Sequence, residues 1–162
     1  MIRSVTIEDA KEIVEIYNYY ILNTNITFEE KELDVEEMER RIELKIKNNP
    51  WTVYEKNGQV LGYAYLSEWH ERSAYRFSKE VSIYLHKNFC GVGIGKQLLE
   101  NIIDIAKEEK YNTKVLVSGI TIPNDSSIGI HERFGFEKVA EFKKIGFKNN
   151  EWLNVGYWQL IL

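Results

Sequence analysis

The sequence predicts a mixed α/β fold, one domain spanning residues 1–162 around a central sheet. Three observations carry that expectation. Apolar spacing switches repeatedly between period 2 and period 3.6 along the chain. Asn57-Gly58 joins two β-rich runs, the strongest hairpin signal in the sequence. A strand-like run, "EVSIYL", leads through clustered glycines into an amphipathic helical run. The length suits one buried core, and no linker, repeat or low-complexity tract interrupts it.

Residues 2–5 read as a short strand. Thr6, with Asp9 three residues on, resembles the N-cap of a helix whose apolar face is Ala10, Ile13, Val14, Tyr17, Tyr20 and Ile21. Asp34 is placed to cap a second, highly charged helix carrying Val35, Met38, Ile42 and Ile46. "WTVYEKNGQVLGYAYLSEW" supplies the two hairpin strands, and "KEVSIYLHK" alternates cleanly as a third. From Ile94 to Glu109 the positions Leu98, Leu99, Ile102, Ile103 and Ala106 recur at helical spacing. "TKVLVSGI" is an apolar strand, and Pro123-Asn124-Asp125-Ser126 opens a short helix ending near Phe134-Gly135. Two final strands cover 137–147 and 152–161. The order is β-α-α-β-β-β-α-β-α-β-β, a mixed α/β layout around one sheet.

Composition narrows the partners. Hydrophobic content of 44% with 28% charged residues is that of a globular domain, and the net charge of −4 argues against a nucleic-acid surface. One cysteine excludes an intrachain disulfide and a cysteine-based zinc site, and fits a reducing cytoplasm. No stretch reaches membrane-spanning length, the start carries no apolar signal region, and no metal is expected.

The loop "CGVGIGKQLL", residues 90–99, invites a nucleotide reading that spacing rejects. A P-loop ending at Gly95-Lys96 needs glycine at position 90 and Ser or Thr at 97; Cys90 and Gln97 stand there. A dinucleotide fingerprint started at Gly91 or Gly93 requires its third glycine where Lys96 or Leu98 lies. What remains is a strand running through glycines into a helix, an arrangement that offers free N–H groups to an anion. A ligand-free turn fits the loop equally well.

Taken together, "EVSIYL", "CGVGIGKQLL", "KVLVSGI" and "NDSSIGIHERFGF" resemble the signature of the GNAT superfamily of N-acetyltransferases. "RSAYRFSKEVSIYL", "IPNDSSIGIHERFGF" and "GFKNNEWLNVGYWQ" are similar to its phosphinothricin and methionine sulfoximine acetyltransferase branch, over most of the chain. The tail residues Gly146, Lys148, Trp152, Val155 and Trp158-Gln159 are the least generic part of that likeness.

The resemblance implies a single-domain GNAT fold with a central mixed, mostly antiparallel sheet flanked by about four helices, acetyl-CoA as co-substrate, a small amino acid or analogue as acceptor, and a homodimer. It places the pyrophosphate on Gly91, Val92, Gly93, Ile94, Gly95 and Lys96, with Asn124 and Ser127 toward the pantetheine arm. Cys90 departs from the usual Gln or Arg. Glu80 matches the branch's catalytic carboxylate, and transfer to an amine needs such a base because α-ammonium groups are mostly protonated at pH 7. Backbone N–H groups of Ile83, Tyr84 and Leu85 would face the thioester oxygen as it gains charge. His131 matches a site position from which histidine can donate, accept or orient.

On the acceptor side the likeness implies Arg72 as a carboxylate fork, with Tyr75, Tyr84 and Phe28 as pocket aromatics. His70, Arg76 and Phe77 depart from the branch pattern, which touches acceptor identity and not the reaction. Bland readings stay open for each: a solvated carboxylate at Glu80, a structural histidine at 131, helix caps at Asn124 and Ser127, core aromatics elsewhere. Two other functions are weighed. One is acetylation of protein or peptide termini on the same fold; the other is a non-catalytic acyl-CoA sensor, for which the presence of Glu80 is unexpected.

Overall fold

The computed structural model describes residues 1–162. Its elements follow the expected order: β1 (Ile2–Ser4), α1 (Ala10–Asn23), α2 (Val35–Lys45), β2 (Trp51–Lys56), β3 (Gln59–Glu68), β4 (Ser78–Leu85), α3 (Ile94–Ala106), β5 (Val115–Ile122), α4 (Asp125–Arg133), β6 (Glu137–Lys148) and β7 (Glu151–Ile161). All seven strands form one sheet in the order β1-β2-β3-β4-β5-β7-β6. Every pairing is antiparallel except that of β4 with β5.

Each face of the sheet carries its own core. Ile13, Tyr17 and Ile21 of α1 and Met38 and Ile42 of α2 bury against Val53 and Tyr63 on one side. Leu98, Leu99 and Ile102 of α3 pack on Leu66, Leu116 and Trp158 on the other, where α4 adds Ile128 and Ile130. Side-chain alternation along the strands feeds both layers, as a sheet covered on two faces requires.

Three helix boundaries differ from the sequence expectation. Thr6 and Asp9 do pair, the Thr6 N–H donating to Asp9 Oδ2 (2.8 Å), but they close a single 3₁₀ turn and α1 begins at Ala10. Asp34 caps α2 as expected, accepting from the Glu37 N–H (2.8 Å). That helix stops at Lys45, leaving Ile46 44% exposed, because Pro50 disfavours helical backbone just before it and the Asn49 N–H closes back on the Lys45 carbonyl (2.9 Å). Beyond Ala106 the apolar stripe gives out into Lys107, Glu108 and Glu109, so α3 ends three residues early.

One irregularity positions the site. β4 and β5 pair only at Ser78–Val115, Lys79–Leu116 and Glu80–Val117. On their outer sides both strands stay fully paired, β4 to β3 and β5 to β7. Past Glu80, therefore, the middle of the sheet has two inner edges with no strand between them.

Candidate active site

Ladder alternation decides which groups face the gap. His86 N–H donates to the Leu61 carbonyl (2.9 Å) and Trp69 N–H to the Ser78 carbonyl (3.3 Å), so even-numbered β4 residues exchange hydrogen bonds with β3. Ile83 and Leu85 consequently turn their N–H groups to the open edge. The Leu85 carbonyl is already occupied there by the Tyr20 hydroxyl (2.7 Å). Tyr84, opposite Tyr63, directs its own N–H to β3, so two of the three expected amides reach the gap.

The glycine loop lies beyond the same strand. Gly91 (φ 77°) and Gly93 (φ 89°) adopt left-handed backbone, and an added Cβ at either would meet nothing within 4 Å. Gly93 is the N-cap of α3, without side-chain cap and without an acidic residue in the first turn. The first intrahelical bond is Gln97 N–H to the Gly93 carbonyl (3.2 Å), which leaves the Ile94, Gly95 and Lys96 amides free at the positive helix end. Val92 is exposed, and the Cys90 thiol lies 4.0 Å from the Tyr20 hydroxyl.

Glu80 stands where pairing between β4 and β5 stops, on the α1–α2 face. Its carboxylate makes no hydrogen bond or ion pair with any side chain. Burial pushes its pKa above the ordinary carboxylate range, an effect partly offset by the Lys45 and His70 charges. Next to it, Gly119 of β5 leaves space: a Cβ there would lie 3.0 Å from Tyr157 Cε1 and 3.5 Å from Glu80 Oε1. The Tyr157 ring packs edge-on against Trp69 (5.4 Å) and Phe142 (5.7 Å), and His70 links Trp69 (4.7 Å) to Tyr75 (5.1 Å). An aromatic wall thus runs past an unpaired carboxylate.

Arg72 and Tyr75 line a cleft of about 580 Å³ in the β3–β4 connection, together with Glu68, Trp69, His70 and Glu71. The Arg72 side chain has no intramolecular partner, so its fork is available to a ligand. Phe28 lies elsewhere than in that cleft: its ring covers Gly146 of β6, where a Cβ would sit 2.3 Å from Phe28 Cε2. The adjoining Lys148 is buried and donates to the Thr27 carbonyl (2.8 Å), so the α1–α2 loop is strapped to the β6–β7 hairpin. Tyr84 forms part of a cluster with Tyr17 (5.0 Å), Tyr20 (5.3 Å) and Tyr63 (5.5 Å), on the same strand face as Glu80 and beyond Ser82.

His131 and Glu80 are not brought together; they occupy opposite faces of the sheet. His131 is 4% exposed, its ring edge-on to Phe136 (5.0 Å) and its Nδ1 2.7 Å from the Ser127 carbonyl. A carbonyl only accepts, so Nδ1 carries the proton. Burial lowers the pKa, the ring is neutral at pH 7, and Nε2 is a buried acceptor without a partner. Asn124 caps α4 through Oδ1, which accepts the Ser127 N–H (3.2 Å), leaving its amide nitrogen free. Tyr157, Trp69, Gly119 and Lys45 were not singled out in the sequence. The alternation of "NVGYWQ" with its register to β5 was the one signal for Tyr157; only folding places the others beside Glu80.

A sheet opened beside an unpaired carboxylate, with free strand amides and a bare helix terminus along one route, defines a group-transfer fold for an extended, anion-bearing donor. Its kinship makes the class particular. Residues 2–155 match the family model described as an acetyltransferase (GNAT) domain, and the chain belongs to that family. It is 33% identical over 155 residues, 95% of this chain and 90% of the relative, to the L-methionine sulfoximine/L-methionine sulfone acetyltransferase of Salmonella typhimurium. Among solved structures it matches a phosphinothricin acetyltransferase of Sinorhizobium meliloti in complex with acetyl-CoA (35% identity, TM-score 0.95, 100% of this chain and 88% of that one). It is equally similar to a Brucella melitensis structure described as ribosomal-protein-alanine N-acetyltransferase (35% identity, TM-score 0.96, 100% and 99%).

Proposed function

We propose that residues 1–162 form a single N-acetyltransferase domain that moves an acetyl group from acetyl-CoA directly to the amino group of a small amino acid or amino-acid analogue. The observation that carries this is Glu80, a half-buried carboxylate without a partner, at the point where β4 and β5 part.

The residues present fit the donor. The free Ile94, Gly95 and Lys96 amides, reached through Gly91, Val92 and Gly93, suit a pyrophosphate. Ile83 and Leu85 offer strand amides to an extended amide-bearing arm, with the Asn124 side chain and Ser127 at the start of α4. Bound acetyl-CoA supplies an activated acetyl group as a thioester. Glu80 takes the proton from the acceptor ammonium, directly or through one water, and its raised pKa makes it a better base at neutral pH. The free strand amides stabilise the acetyl oxygen as it gains negative charge. Arg72 holds the acceptor carboxylate in the cleft beside His70 and Tyr75. His131, with Nδ1 tied to Ser127, contributes as a neutral acceptor through Nε2.

Val139, Phe142, Ile145 and Phe147 on β6 and Trp152 on β7 are each more than half exposed, on and beside an edge strand, which supports a homodimer through this edge. The single unpaired cysteine supports a cytoplasmic setting.

A second reading, acetylation of protein N-termini, has the Brucella structure's description behind it. Thiol release from acetyl-CoA, followed with free amino acids, methionine sulfoximine, phosphinothricin and an alanine-initiated peptide, separates the two. Turnover of free amino compounds above the peptide is expected; turnover of the peptide alone would replace the first reading by the second.

A further inference from the structure

A second cleft, of about 570 Å³, lies on the α1–α2 side of the sheet and meets the Arg72 cleft at Glu68, which lines both. Its charges are unevenly satisfied. Glu29 is held by a bidentate Arg41 (2.7 and 2.8 Å) and by the Tyr17 hydroxyl. Arg41 also reaches Glu37 (2.8 Å). Glu68 accepts from Asn49 (3.0 Å) and Lys79 (3.4 Å).

Lys45 is the exception. Near the C-terminal end of α2, its ammonium lies 5.1 Å from the centre of the Tyr65 ring and makes no hydrogen bond or ion pair. It is half-buried, and burial draws its pKa below the usual lysine value, an effect that the charges of Glu68 and Glu80 offset only in part. Tyr65 pairs with Ser82, two residues along the same face from Glu80, and the Lys45 charge acts on Glu80. Glu80 itself lines neither cleft, but His70 of the first and Lys45 of the second both act on its carboxylate. With the acceptor amine at Glu80 and its α-carboxylate on Arg72, the side chain is directed toward the remaining free cation.

We propose that Lys45 is a specificity-determining residue that selects amino-acid acceptors carrying an anionic side-chain head, of the phosphinate or carboxylate class, over neutral ones of similar shape. This rests on the acetyltransferase reading above and deepens it. Hydrogen bonding of an anionic head to a half-desolvated ammonium regains solvation that both lose on entering the cleft, whereas a neutral head leaves the ammonium unpaired. Arg41 cannot substitute, because its fork is committed to Glu29 and Glu37.

Phosphinothricin and methionine sulfoximine are suitable probes: both are small amino acids with a tetrahedral head, anionic in the first and neutral in the second at pH 7. The quantity to measure is the ratio of kcat/KM for phosphinothricin to that for methionine sulfoximine in wild type, Lys45→Met and Lys45→Arg, with acetyl-CoA saturating. The ratio is expected to exceed one in wild type, to fall about tenfold or more in Lys45→Met, and to be largely retained in Lys45→Arg. A merely structural role for Lys45 would lower both rates and leave the ratio in place. A wild-type ratio below one, or a ratio that moves less than about threefold in Lys45→Met, overturns the assignment while the acetyltransferase reading stands. Turnover of neither compound by wild type overturns this inference, while the acetyltransferase reading is decided separately by free amino acids against the alanine-initiated peptide.

Discussion

The carboxylate of Glu80 and the bare α-carbon of Gly119 share one space on the sheet: a Cβ at Gly119 would lie 3.5 Å from Glu80 Oε1 and 3.0 Å from the Tyr157 ring. A Cβ there would crowd the Tyr157 ring and just touch the Glu80 carboxylate, so a larger branched side chain would press on both. Gly119→Val should push Glu80 and Tyr157 out of register with the acceptor and lower kcat about a hundredfold. Acetyl-CoA KM and the far-UV spectrum should hold, since β5 stays paired to β7 along its length. Steady-state kinetics with a thermal melt checks this.

Burial sets the pH behaviour of Glu80. Its folded-state pKa lies above the unfolded value, so the folded protein holds that proton to higher pH. Stability is accordingly lost as pH rises from the unfolded value through the folded one. Glu80→Gln is expected to melt higher than wild type at pH 7 and no higher below the unfolded carboxylate pKa. Conversely, the acid limb of the wild-type kcat/KM profile should fall above the ordinary carboxylate range. Melts and rates across pH measure both.

Phe28 lies outside the Arg72 cleft, and its strap to Gly146 tests whether the α1–α2 loop bears on the acceptor, as the resemblance implies. Gly146→Ala places a Cβ 2.3 Å from Phe28 Cε2, so the ring and its loop must move. Overpacking of this kind costs about 1 to 3 kcal/mol, read as a lower Tm. KM for the amino acid should rise while KM for acetyl-CoA is unchanged, because the glycine loop lies beyond β4 and away from the β6–β7 hairpin.

Sequence reading reached the parts of this site that local chemistry encodes. Glycines before an amphipathic run give a bare helix terminus, and Asn124 with Ser127 gives a cap, because each depends on residues within a few positions. The order of elements along the chain was legible from periodicity for the same reason. Contacts across the fold were not. Lys148 reaches Thr27 over 121 residues with no local pattern to announce it, and the alternation around Tyr157 gives its face but not its partner Gly119, which strand register sets. Ile46 misled because helical periodicity continued past the point where Pro50 ends the helix. His131 kept its place in the motif, yet its burial and the Ser127 carbonyl narrow it to an acceptor, which the sequence had left open.

The central claim is that Glu80 is the base. Its most direct test is kcat of Glu80→Gln against wild type at saturating acetyl-CoA and acceptor, with acetyl-CoA affinity measured in parallel by calorimetry. The expected result is a kcat lowered roughly a hundredfold to ten-thousandfold with acetyl-CoA affinity retained. A kcat within about threefold of wild type, with the acid limb of the pH profile unmoved, would contradict it.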